Sequence, residues 1–156
     1  MTLEASHDES IAKLMARLAG VVRRRDGGGH AGERPKDVII DEYQLLEAKA
    51  IGADIILLIA ACLTPPEVKM LSASAKSLGL EVLLELHDEE ELEHICDDTM
   101  LIGINNRSLK TFEVNLDRSL QMAAKIPSDK FKIAESGISY VEQINLFKQH
   151  GFSGFL

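Results

Sequence analysis

Cysteine is scarce in this chain, with Cys62 and Cys96 the only two among 156 residues. Set far apart, they offer neither metal-ligand spacing nor the density of a disulfide-stapled secreted domain, so a reducing, cytoplasmic setting is expected. Long hydrophobic runs are missing as well. The longest, residues 55–63, falls far short of the ~20 residues that cross a bilayer. The amino terminus lacks the charged start and apolar core of a secretion signal. Positive charge is also in deficit: 17 Lys and Arg stand against 25 Asp and Glu, a formal net charge of −8, and Arg23, Arg24 and Arg25 form the one basic run. A protein that tracks phosphates needs a basic footprint, so general nucleic-acid binding is excluded along with membrane insertion.

What remains is the composition of a globular domain. The chain is 46% hydrophobic, and a domain of this length buries roughly 70% of its unfolded surface. Residues 1–33 differ in style from the rest. Ile11, Leu14, Met15, Leu18 and Val22 recur at helical spacing behind Asp8, Glu9 and Ser10, residues that cap and complement a helix amino terminus. The run "RRRDGGGHAGERP", with Gly27, Gly28, Gly29 and Gly32, reads as a flexible linker. The expected division is therefore a helix and linker over residues 1–33 and a folded domain over residues 34–156.

From residue 34 onward, short β-rich runs alternate with amphipathic segments. Strands are predicted at 37–40, 54–60, 81–86, 100–105, 131–134 and 154–156, and helices near 41–52, 65–78, 88–96, 116–125 and 139–150. Runs such as "IILLIAA" and "EVLLEL" are apolar on both faces, which fits a parallel sheet covered by crossover helices. Such a series closes as part of a (β/α) barrel or stays open as a doubly wound sheet. In both, ligands bind at the carboxyl ends of the strands.

That rule sorts the polar residues. Glu85 ends one apolar run, Asn105 and Asn106 another, and Glu135, Ser136 and Gly137 a third, while Lys36 stands at the mouth of the first. Each has a bland alternative as a solvated strand end or a turn; their recurrence on one sheet edge is harder to dismiss. His87 reads as a surface residue. The acidic tract 88–91 reads as the solvated first turn of a helix.

The segments "IIDEYQLLEAKAIGADIILLIAACL", "LGLEVLLELHDEEEL", "LIGINNRSLKTFEVNL" and "IAESGIS" resemble successive blocks of the indole-3-glycerol-phosphate synthase family. The likeness runs from about residue 36 to 156. It implies an α/β fold, an incomplete (β/α)8 barrel with about six parallel strands. It also implies a lyase of tryptophan biosynthesis that cyclises a carboxyphenylamino-deoxyribulose phosphate, losing carbon dioxide and water, without metal or organic cofactor. On this resemblance Lys36 matches the general acid and Glu85 the general base. Asn105, Glu135 and Ser136 match substrate contacts, Gly137 lies with them at the start of a helix whose amides suit a phosphate, and Arg107 matches an arginine near the substrate's anionic groups.

The departures shape the remaining expectations. Residues 1–33 hold no recognisable version of the family's first-strand lysine and glutamate, the last block ends at "GFL", and Pro35 precedes Lys36 where the family has an arginine. Proline removes a backbone donor, which weakens pairing at Lys36. These features predict six of eight barrel strands, open sheet edges that favour a homo-oligomer, and little or no synthase activity in this chain alone. The alternative is a catalytically silent folded fragment or scaffold that binds phosphate ligands.

Overall fold

The structure is a computed structural model that describes residues 38–109 and 111–156. The helix and linker expected over residues 1–33, the boundary near residue 34, and Lys36 lie outside the described residues. The elements run α1 (Glu42–Ala50), β1 (Ile55–Ile59), a 3-10 turn (Ala60–Cys62), α2 (Pro65–Ser77), β2 (Glu81–Leu86), a second 3-10 segment (Glu89–His94), β3 (Leu101–Asn105), α3 (Leu116–Ala123), β4 (Phe131–Glu135), α4 (Val141–Gln149) and β5 (Phe152–Phe155). All strand pairs are parallel, and the order is sequential from β1 to β5. This is the α/β alternation expected of part of a (β/α)8 barrel.

The described residues hold five strands, and the strand predicted at 37–40 is not among them. Its backbone serves the start of α1 instead. The amides of Ile40 and Asp41 donate to Gln44 Oε1 at 2.8 and 3.0 Å, and Gln44 Nε2 donates to the Val38 carbonyl at 3.0 Å. With Asp41 accepting from the Tyr43 amide, these bonds form a capping box that fixes where the helix begins. The segment predicted as a helix near 88–96 is a 3-10 stretch. There Asp88 and Glu91 cap in the same reciprocal way, and Glu91 Oε2 accepts from the His87 and Asp88 amides. The last strand begins two residues earlier than predicted, because Phe152 enters the core against Phe147 with ring centroids 4.7 Å apart.

The period-2 alternation of strand side chains divides the core in two. Val82, Leu84 and Leu86 of β2, Ile102 and Ile104 of β3 and Ala134 of β4 pack under the helices with Leu45, Val68, Leu71, Met122 and Phe147. Burying each large apolar side chain contributes about 1.5–3 kcal/mol, so this layer fixes the helices on the sheet. On the opposite face Ile55, Leu83, Leu101 and Ile133 form a smaller cluster joined by Leu57 and Phe131. Glu85, Gly103, Asn105 and Glu135 continue that second face toward the carboxyl ends of the strands.

Candidate active site

Parallel register places these groups in adjacent rows. Glu85 pairs across with Gly103, and Asn105 with Glu135. Because Leu83 sits two residues before Glu85, and Ile133 two before Glu135, both carboxylates rise from one apolar floor. Neither is solvated in the ordinary way: Glu85 and Glu135 are 7% and 9% exposed. A buried carboxylate is costly unless hydrogen bonds or charge support it. Asn105 Nδ2 donates to Glu85 Oε1 at 2.9 Å, and His87 Nε2 lies 2.9 Å from the same oxygen.

Gly103 provides space for Glu135. A Cβ built at Gly103 would stand 1.8 Å from Glu135 Oε1 and 3.3 Å from Leu83 Cδ1. The absent side chain is thus what admits a carboxylate to this row.

Asn105 is held from both sides. Its backbone carbonyl accepts from Arg118 Nη2 at 3.1 Å, and its Oδ1 accepts from the Arg107 amide at 3.0 Å. The Arg107 guanidinium turns along its own loop to the Phe112 carbonyl at 3.2 Å and is exposed. Asn106, fully buried, donates through Nδ2 to the Ser136 carbonyl at 2.7 Å, and its amide donates to the Glu135 carbonyl at 2.8 Å. Asn106 therefore ties the end of β3 to the turn after β4.

That turn is strained by design of its sequence. Ser136 and Gly137 both have positive φ, 65° and 70°, a region that glycine enters freely and serine does not. The Ser136 amide donates to the Leu156 carbonyl at 3.0 Å, and the Ser139 and Tyr140 amides donate to Gln143 Oε1 at 2.8 and 3.1 Å. Several amides ahead of α4 are thus engaged inside the loop.

The structure brings together Glu85, Asn105, Glu135, Ser136 and Gly137 at the carboxyl ends of β2, β3 and β4. Arg107 stands beside them on the following loop, and Lys36 lies outside the described residues. His87 corrects the sequence reading: it is 3% exposed, not a surface residue. The signal was its spacing, since residue 87 continues the alternation of 83 and 85. Asn106 was legible as a strand-end group but not as a tie, and Arg118 was missed, because their partners are backbone carbonyls distant in sequence. Chemically, a carboxylate over an apolar floor, with an amide and an imidazole on one oxygen, is a group that can accept a proton from a molecule beside it.

Comparison with known proteins identifies the family. The family profile described as indole-3-glycerol phosphate synthase matches residues 8–156. Relatives with that name include one from Bacteroides thetaiotaomicron, 49% identical over 121 residues, and one from Chromobacterium violaceum, 48% identical over 122 residues. Each alignment covers 78% of this chain and 46% of the relative, so the chain spans about half the length of the curated relatives it matches. Among solved structures, one described as native KDPGal is similar with a TM-score of 0.57 and 15% identity, covering 76% of this chain and 52% of that one. The tryptophan synthase complex of Pyrococcus furiosus is similar with a TM-score of 0.53 and 20% identity, covering 73% and 45%. These structures share the fold, and the sequence relatives settle the kinship: the chain belongs to the indole-3-glycerol phosphate synthase family.

Proposed function

We propose that this chain carries the site of the family's cytoplasmic reaction on a phosphorylated aromatic substrate, closing the indole ring of indole-3-glycerol phosphate with loss of carbon dioxide and water, and that the chain alone turns over weakly. The observation that carries the reading is the Glu85 carboxylate, buried at the carboxyl end of β2 and contacted on one oxygen by Asn105 and His87. Ring closure requires an acid that protonates the substrate's keto oxygen as the aromatic carbon attacks. Carbon dioxide then leaves, and its bonding electrons restore the aromatic ring. Dehydration requires a base for the amine proton and an acid that releases the hydroxyl as water.

In this reading Lys36 is the general acid and Glu85 the general base. Asn105, Glu135, Ser136 and Gly137 position the substrate, and Arg107 stands near its anionic groups. The apolar floor of Leu83, Leu101 and Ile133 suits the flat aromatic ring.

The test is a fluorescence assay for indole-3-glycerol phosphate on the purified chain and its Glu85→Gln variant. Loss of the base is expected to lower kcat by about 10²–10⁴ while leaving KM nearly unchanged. Substrate binding without turnover by the unsubstituted chain would replace this reading with that of a silent module for phosphate ligands. The same reading includes association of copies through β1 and β5, each paired on one side only among the described residues. Light scattering that reports a monomer at all concentrations removes that part.

A further inference from the structure

His87 is buried between two carboxylates. Its Nε2 lies 2.9 Å from Glu85 Oε1, and its Nδ1 faces Glu91 Oε2 at 3.9 Å. The Nε2 contact is short but departs from the angle of a straight hydrogen bond, as pre-catalytic contacts in unliganded sites often do.

The ring has little freedom to leave. Glu91 Oε2 accepts the His87 backbone amide at 2.6 Å and the Asp88 amide at 3.3 Å, which anchors the chain at the point where β2 ends. The other buried histidine among the described residues, His94, has its ring nitrogens facing main-chain carbonyls, those of Glu91 at 3.0 Å and Leu63 at 2.9 Å. That pattern serves the backbone. The His87 ring instead meets a carboxylate at the strand ends, on the oxygen that Asn105 also contacts.

We propose that His87 is a positioning residue for Glu85. Together with Asn105 it holds one end of the carboxylate, so that the group meets substrate in a single rotamer. This rests on the reading of Glu85 as the base. A displacement of about 1 Å at a proton-transfer group costs ~100-fold in rate, so the rotamer in which the Glu85 carboxylate is held matters.

The test uses the full 156-residue chain and has two arms. In long-range proton–nitrogen spectra of the histidine side chains, Glu85→Gln is expected to shift the His87 ring nitrogens and leave those of His94 in place. A His87 signal that does not move overturns the proposal, whether or not the chain turns over substrate. In the indole-forming assay, His87→Ala is expected to lower kcat about 10- to 100-fold with little change in KM. His87→Gln, whose amide reaches a similar point, recovers most of that loss. Equal losses in both variants, falling in step with melting temperature, mark a packing role and overturn the proposal. Turnover indifferent to Glu85→Gln overturns the assignment of the base itself, a result separable from the spectral one.

Discussion

Gly103 and Glu135 share one space: a Cβ at Gly103 would stand 1.8 Å from Glu135 Oε1 and 3.0 Å from its Cδ. The carboxylate occupies the space that a side chain at residue 103 would fill. Gly103→Ala is therefore expected to displace Glu135 more than it disturbs the sheet, because the clash falls on the end of a movable side chain. Stability should fall by about 1 kcal/mol, and turnover by ~10- to 100-fold. Chemical denaturation and the indole-forming assay measure the two. An alanine variant as active as its parent would show that the placement of Glu135 does not matter.

Gly137 makes a second enforced approach. It has φ of 70°, and an added Cβ would meet Val114 Cγ1 at 2.5 Å. Gly137→Ala should cost about 1–3 kcal/mol, from left-handed strain and from overpacking together. Only the second cause involves Val114. The double variant Gly137→Ala, Val114→Ala should thus recover part of the loss, with a coupling of about 0.5–3 kcal/mol in a thermodynamic cycle. Strict additivity would assign the whole cost to the backbone.

At the start of α2, Glu67 Oε2 accepts both the Thr64 amide and the Thr64 hydroxyl at 2.7 Å. These bonds hold the Glu67 carboxyl below its ordinary pKa, the backbone bond contributing most. A folded pKa below the unfolded one means that the stabilisation is present above the unfolded carboxylate range. It is lost as pH falls through the folded value. Glu67→Gln keeps an acceptor but removes the charge. Its melting temperature should lie below the parent's at neutral pH, and the gap should close on acidification. A gap independent of pH would show that ionisation of Glu67 contributes nothing.

Phe147 is fully buried and meets Phe152 and Phe155 with ring centroids 4.7 and 6.5 Å away. It joins α4 to β5. Phe147→Ala should cost about 3–5 kcal/mol through the cavity it leaves. Urea denaturation is the measurement, with a lowered midpoint as the expected result. A loss of under about 1 kcal/mol would mean that the two remaining rings close over the gap.

The chain's local pattern determined the elements. The alternation of apolar runs and amphipathic segments marked β1 to β5 and the four α-helices within a few residues, because a parallel sheet buried on both faces needs apolar strands whatever surrounds them. The strand-end rule then located Glu85, Asn105, Glu135 and Ser136, since their order along the chain already states which strand each one ends.

Only the tertiary structure decided the rest. The segment before α1 has strand-like residues, yet Gln44 draws the amides of Ile40 and Asp41 and the carbonyl of Val38 into a helix cap. His87 sits in an acidic stretch that looks solvated, yet it is enclosed when β2 carries it beside Glu85 and Glu91 turns back to bind its amide. Gly103 shows its purpose only once β4 lies alongside β3. Propensity and spacing act along the chain over a few residues, whereas burial, side-chain capping and close approach depend on which strands become neighbours. That pairing is fixed by packing across the sheet.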